Sequence, residues 1–122
     1  MFNISSNGIV TVNRGDSFIL PITLNIGSSM VNDVYTLQPT DELYLGVMEP
    51  NQPFEVALIR KKFVYDDLDE SGNINVRFWP EDTRLLLPGK YYYQVKVQTV
   101  DQETGRKDVE TVVDKTLFYI QE

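Results

Sequence analysis

The most regular pattern of hydrophobic and polar positions lies between residues 91 and 98. One parity carries apolar and aromatic side chains and the other carries mostly polar ones: Tyr91, Tyr93, Val95 and Val97 against Tyr92, Gln94, Lys96 and Gln98. A period of two is typical of a strand that is buried on one face. We therefore expect a long strand here, at the centre of the core, with Tyr91 and Tyr93 facing inward.

A tight turn precedes this strand. Pro88 fixes its own φ, and Gly89 accepts backbone conformations that other residues resist, so the pair marks a sharp connection after a leucine triplet. A tyrosine two residues after such a glycine is typical of a tyrosine corner, in which the ring packs inside and the hydroxyl binds the backbone of the preceding connection. The spacing predicts this role for Tyr91.

Shorter alternating segments elsewhere predict further strands, at 9–13, 18–26, 43–47, 54–65, 74–78 and 111–120. Pro21 cannot donate to a sheet ladder, so one side of its strand is expected to be an edge, a bulge or a switch between sheets. The segment 54–65 also has helical propensity, but its β-branched and aromatic residues favour a strand. Residues 81–83 predict a capped single turn of helix.

Seven or eight strands, short turn-rich connections and no long helix indicate two stacked sheets rather than alternating strands and helices. We expect residues 1–122 to form one domain, an all-β, immunoglobulin-like antiparallel β-sandwich. A chain of 122 residues buries roughly two-thirds of its unfolded surface, so the core holds without disulfides or metal.

Composition narrows the chemistry that the chain can perform. It has no cysteine and no histidine, which removes thiolate metal sites and the commonest general base. Eighteen acidic and eleven basic residues give a net charge of −7, which works against binding nucleic acid. The sequence shows neither a signal-peptide pattern nor eighteen consecutive apolar residues, so we expect no export signal and no membrane insertion.

The acidic turn at 67–73 is the sharpest local motif. Asp67, Asp69 and Ser71 occupy positions one, three and five of a calcium-binding EF-hand loop, and Gly72 occupies position six. The twelfth position, which should be glutamate, is Phe78. Asp, Ser, Gly and Asn are also what a tight turn requires, so we favour a plain hairpin turn and keep a bound cation as the alternative.

Other candidate sites have simpler structural readings. Arg14-Gly15-Asp16 is spelled like an integrin-binding tripeptide, but glycine is ordinary in a turn that ends a strand. The remaining acidic residues cluster in turns, where solvated carboxylates are common, although paired carboxylates perform glycosidase chemistry without histidine. The sequence therefore predicts no catalytic, cofactor-binding or metal-binding residue, and no cofactor.

Aromatic residues provide the remaining signal for binding. An exposed set such as Tyr44, Tyr92 and Trp79 would stack on sugar rings or form a contact with another protein. Such residues also serve as ordinary cross-strand neighbours. Both interpretations stay open at this point.

Several segments together resemble a known family. They are RGDSF with the strand after it (14–26), YTLQPTDELYLGV (35–47), PEDTRLLLPGKYYYQVKV (80–97) and TVVDKTLFYI (111–120). They resemble small phage and prophage structural domains related to the N-terminal immunoglobulin-like domain of the baseplate upper protein family. The resemblance covers residues 10 to 120, and the block at 80–97 is its most distinctive part.

The resemblance implies a non-enzymatic module that joins parts of a phage or prophage particle, in the tail or baseplate, or seats a receptor-binding protein. It matches Tyr91 and Tyr93 to core aromatic residues of the family, and Asp82-Thr83 to the turn before the central strand. The expected partners are other virion proteins or a further copy of the chain, and the expected location is the virion, after synthesis in the bacterial cytoplasm. A carbohydrate-binding or adhesin-type module is the alternative.

Overall fold

The computed structural model describes residues 3–5, 8–22, 37–70 and 73–122. Eight strands are present among them: β1 (Asn3–Ile4), β2 (Val10–Asn13), β3 (Phe18–Ile22), β4 (Glu42–Met48), β5 (Ile59–Val64), β6 (Ile74–Phe78), β7 (Gly89–Val100) and β8 (Lys107–Gln121). A short helix, α1 (Pro80–Arg84), precedes β7, and 3₁₀ turns span Phe54–Val56 and Tyr65–Asp67. The described chain is therefore all-β, as predicted.

The strands form two sheets. The larger sheet has the order β1-β2-β8-β7-β4-β5 and is curled into a half-barrel, and the smaller consists of β3 and β6. Neighbouring strands are antiparallel except β2 and β8, which run parallel. The inward residues of both sheets form one buried hydrophobic cluster, so the fold is sandwich-like.

Four aromatic rings join the two sheets at the centre of this cluster. Phe18 of β3 stacks on Phe78 of β6, with ring centroids 4.5 Å apart. Phe118 of β8 lies 5.7 Å from Phe78 and 6.1 Å from Phe18, and Tyr93 of β7 meets Phe118 edge-on at 6.3 Å. Offset and edge-to-face rings at these distances attract each other beyond their burial. The aromatic cluster therefore holds the sheets together.

The predicted parity of the central strand is confirmed. Tyr91, Tyr93, Val95 and Val97 all face inward, and none is more than 7% exposed. In β3 the inward positions also match the prediction as far as Ile22, whereas Leu24 and Ile26 lie outside the described residues. Within the described chain β3 pairs with β6 alone. Pro21 therefore lies in an edge strand, which is the first of the three alternatives expected for it.

The prediction of a continuous strand over 54–65 is wrong at both ends. β5 covers only Ile59–Val64, and a 3₁₀ turn flanks it on each side. The first turn exists because the Phe54 ring packs over Gly46 of β4, on the outer face of the larger sheet. The chain crosses that face before it pairs with β4. The first hydrogen bond of this pairing is donated by the Leu58 N–H to the Val47 carbonyl.

The last two strands form a long hairpin, closed by a polar loop at 101–106. β8 begins at Lys107, earlier than the predicted start at residue 111. Its register against β7 shifts twice between Tyr93 and Lys96, which marks bulges that bend the strand and increase its twist.

Candidate functional site

Residues 79–91 form a compact connection at one end of the sandwich, which we call the corner. Proline at the first helical position, Pro80, suits the start of α1 because its missing N–H would have no helical partner there. The Asp82 carboxylate accepts the N–H of Trp79 at 2.7 Å and also contacts Lys61 Nζ of β5 at 2.7 Å. The predicted helical turn is confirmed, with Asp82 inside the helix rather than before it.

A buried hydroxyl fixes the corner to a second loop. Thr83 is fully buried, and its Oγ1 accepts the N–H of Gly15 at 2.9 Å. Arg14 in turn forms an ion pair with Glu122 at 2.7 Å. Gly15 has a φ of +83° two residues after the end of β2, so it is the turn residue that the simpler interpretation expects.

The tyrosine corner is present where the spacing predicts it. Tyr91 Oη donates to the Leu87 carbonyl at 2.7 Å, while its ring lies in the core. Gly89, between them, has φ of +151°, a conformation that favours glycine. Burial, and then the charge of Glu49, raise the pKa of Tyr91, so the hydroxyl keeps its proton and remains a donor.

The corner presents large apolar side chains to solvent. Leu85 is 86% exposed and Leu87 is 76% exposed, whereas Leu86 between them packs against the core. Trp79 is half exposed, and the Arg77 guanidinium stacks over its ring at 4.5 Å. Exposed leucines on a backbone fixed by these hydrogen bonds form a preorganised apolar projection, which is typical of an interaction surface.

A second feature, which we call the cleft, lies on the outer face of β4 and β5. It has a volume of about 420 Å³ and is lined by Tyr44, Leu45, Phe54, Glu55, Arg60, Lys61 and Lys62. Its walls are mainly aromatic and aliphatic. The volume is within the range of pockets that hold small apolar groups.

Positive charges surround the aromatic walls of the cleft. Lys62 Nζ lies 5.9 Å from the Tyr44 ring centroid, and Lys96 Nζ lies 5.3 Å from that of Phe54, which are cation–π distances. Arg60 donates to the carbonyls of Glu55 and Ala57 and so braces the 3₁₀ turn. The cleft is therefore apolar inside and basic at its rim.

The carboxylate nearest the cleft is already engaged. Tyr44 Oη donates to Glu42, and Lys62 lies 3.4 Å from the same carboxylate. The hydrogen bond from Tyr44 is the main cause that lowers the pKa of Glu42, and the same bond raises the pKa of Tyr44. Glu42 is thus an ionised anchor for Tyr44 and Lys62 rather than a general acid.

Gly46 makes the cleft possible, and we expect its replacement by alanine to lower the free energy of unfolding by about 1–2 kcal/mol. A Cβ at this position would lie 2.9 Å from a ring carbon of Phe54 and 3.0 Å from Ala57 Cβ, so the 3₁₀ turn would have to move. Urea unfolding measures the change. In a Phe54→Ala background the same substitution should cost less, and an equal cost in both backgrounds would contradict the contact.

The three aromatic residues singled out from the sequence do not form one surface. Tyr44 and Tyr92 are half-buried on the outer face of the larger sheet, where Tyr92 pairs with Met48 and Leu117. Trp79 follows β6 of the smaller sheet. Tyr44, Tyr92 and Trp79 therefore do not form a continuous row on which a sugar could stack.

The carboxylates of the acidic turn hold backbone groups. Asp67 accepts the N–H of Val64 at 2.8 Å, and Asp69 accepts the N–H of Asn73 and the side-chain amide of Asn75, both at 3.0 Å. These bonds are those of a tight turn, closed by an isolated antiparallel bridge between Leu68 and Ile74. The flanking strands β5 and β6 lie in different sheets, so the turn does not join two paired strands of a hairpin as predicted. The turn's Ser71 and Gly72 lie outside the described residues.

No group of three or more acidic residues within the described ranges is placed to hold a metal ion. The buried polar side chains among the described residues are Asp41 and Thr83, and both serve the backbone, Asp41 by accepting the N–H of Gln38 at 2.8 Å. No helix in the described chain is long and apolar enough to cross a membrane. The candidate functional surfaces are therefore the corner and the cleft.

The sequence predicted the helical turn and the tyrosine hydrogen bond of the corner, but not the exposure of Leu85 and Leu87, and it did not predict the cleft. The only signal for the cleft was Gly46 inside a predicted strand, since glycine there often marks a close approach by another segment. Comparisons of the chain with protein-family models, with curated proteins and with solved structures gave no match.

Proposed function

We propose that the chain is a non-enzymatic structural and interaction module of a phage or prophage particle, acting in tail or baseplate assembly or in seating a receptor-binding protein. The observation that carries the proposal is the corner, where Leu85 and Leu87 project into solvent from a backbone fixed by Tyr91, Thr83 and Asp82. The same segment, 80–97, is the most distinctive part of the resemblance to phage structural domains.

The strand order supports an immunoglobulin-like module. In the larger sheet β8-β7-β4-β5 take the places of strands G, F, C and C′, and β3 and β6 take those of B and E. The tyrosine corner lies at the start of β7, the position of strand F. Domains of this architecture serve many functions, so the phage assignment depends on the resemblance and on the experiment below.

Particles released from a host that carries the gene provide the test. The particles would be banded on a density gradient, and the chain would be sought by mass spectrometry and by immunogold electron microscopy. We expect the chain in the particle band, with label at the tail or baseplate. Detection only in the soluble cell fraction, with none in intact particles, would contradict the proposal.

The carbohydrate-binding alternative is favoured by one observation, the half-exposed ring of Trp79. Because Trp79 is the only tryptophan, its fluorescence reports directly on a bound sugar. A saturable shift on titration with oligosaccharides from the host cell wall, together with glycan-array binding that Trp79→Ala abolishes, would favour the alternative. An unchanged spectrum would favour the structural module.

A further inference from the structure

We propose that the cleft binds an acidic segment of a partner protein, with an aromatic side chain of that segment seated against Tyr44 and Phe54. This goes beyond the proposed function, which is carried by the corner and does not define the chemistry of a partner. The two are tested separately, one on particles and the other on the purified chain, so either can fail without the other.

The walls of the cleft suit an aromatic ring. Tyr44 and Phe54 line a recess of about 420 Å³, and each is held in position, because Phe54 packs over Gly46 and Tyr44 Oη donates to Glu42. Aromatic rings attract each other in offset and edge-on arrangements. An aromatic side chain can therefore enter without rebuilding the surface, so little further ordering of the walls is needed on binding.

Two lysines flank Tyr44 in register. Tyr44 of β4 pairs with Lys62 of β5 on one side and with Lys96 of β7 on the other. Because neighbouring strands are about 4.8 Å apart, the backbones of the two lysines are separated by roughly 10 Å. One carboxylate is narrower than this separation, whereas acidic residues on both sides of an aromatic residue match it. The arrangement therefore favours an acidic segment over a ligand that carries a single charge.

Positive charge remains available at the cleft. Within the part of the chain that the structure describes, neither Arg60 nor Lys96 forms an ion pair. Lys62 reaches Glu42 at 3.4 Å, but its side chain is 55% exposed, so it stays accessible to a second carboxylate. The charges that no residue outside the cleft neutralises are three positive and two negative: Arg60, Lys62, Lys96, Glu42 and Glu55. This local excess, in a chain that carries −7, attracts acidic partners.

Titration of the purified chain with a capped peptide, Glu-Asp-Phe-Asp-Glu, tests the proposal. In nitrogen–proton correlation spectra, the amide signals of residues 44–46, 54 and 60–62 should shift, with a Kd of about 0.1–1 mM. A peptide with alanine in place of phenylalanine, and one with lysine in place of every acidic residue, should each bind at least about tenfold more weakly. Hydrocinnamate, which has one ring and one carboxylate, should also bind at least about tenfold more weakly.

Matched variants separate the cleft from the charge of the whole molecule. Lys96→Glu should weaken binding of the peptide about tenfold or more. Arg77→Glu makes the same change of charge at an exposed position of the smaller sheet, so its affinity should stay within about twofold of wild type. Tyr44→Ala should weaken binding about tenfold, whereas Tyr119→Ala, a half-buried tyrosine of β8 outside the cleft, should not. Circular dichroism verifies that all four variants fold.

Glu55 provides a test in the opposite direction. Its carboxylate lies at the cleft and is exposed, so Glu55→Gln removes a repulsive charge and should tighten binding of the peptide about two- to threefold. Because the position is exposed, this gain does not depend on a variant that destabilises the fold. An absence of shifts at about 5 mM peptide, shifts confined to other surfaces, equal losses in Lys96→Glu and Arg77→Glu, or hydrocinnamate binding as tightly as the peptide would overturn the proposal.

Discussion

Replacing Phe118 with alanine should lower the free energy of unfolding by about 3–5 kcal/mol. Phe118 is fully buried in β8, and its ring contacts those of Phe18, Phe78 and Tyr93. Those partners come from both sheets, so the cavity left by the truncation opens at the sheet–sheet junction. The midpoint of thermal unfolding should fall by about 10 °C or more.

Chemical denaturation followed by circular dichroism and by Trp79 fluorescence measures this effect, and coincidence of the two signals tests two-state unfolding. Val109→Ala is the matched control, because it truncates an apolar side chain of the same strand that is 61% exposed. Its cost should stay within about 0.5 kcal/mol. A cost below about 1 kcal/mol for Phe118→Ala would mean that the sheets are not joined through this ring.

A structural feature can be predicted from the sequence when the residues that define it lie close together along the chain. The parity of β7 could be predicted because every inward residue is apolar or aromatic, so a slip of one position would expose all of them. The tyrosine hydrogen bond of the corner could be predicted because Leu87, Gly89 and Tyr91 lie within five positions of one another. Local spacing suffices when both partners are close in sequence.

The cleft depends on contacts that a local pattern does not contain. Phe54 lies eight residues after Gly46, and its ring reaches the glycine only because the chain folds back across the outer face of β4. The position of Lys61 also depends on a contact that is distant in the sequence. This residue stands in a run of three basic residues with no partner nearby in the sequence, but it faces inward and binds Asp82 of α1, twenty-one residues away. Its charge also discourages another strand from pairing with the edge strand β5.

The bulges in β8 also could not be predicted from the sequence. The segment Thr111–Asp114 has no proline or glycine to mark an irregularity, yet the register of β8 against β7 shifts near it, and further along β8 also pairs with β2 in the curled sheet. Because a bulge bends its strand and increases the twist, these shifts contribute to the curl of the sheet without a signal in the local composition.

Replacing Tyr91 with alanine should cost about 3–5 kcal/mol, whereas replacing it with phenylalanine should cost only about 1 kcal/mol. Alanine removes the buried ring and its hydrogen bond, but phenylalanine keeps the ring and removes only the bond to the Leu87 carbonyl. The difference between the two variants thus separates packing from the hydrogen bond of the corner. Urea unfolding of both variants measures it.

The phenylalanine variant also tests whether the corner holds its leucines in place. Without the hydroxyl, Leu87 loses the bond that fixes its backbone, so amide hydrogen exchange at residues 85–87 should accelerate while exchange in β4 and β8 stays unchanged. Faster exchange throughout the sheets would mean that Tyr91→Phe weakens the whole fold instead of the corner. A cost below about 1 kcal/mol for Tyr91→Ala would place the ring in solvent and shift the register of β7 by one residue, and the inward parity on which the sandwich depends would then be incorrect.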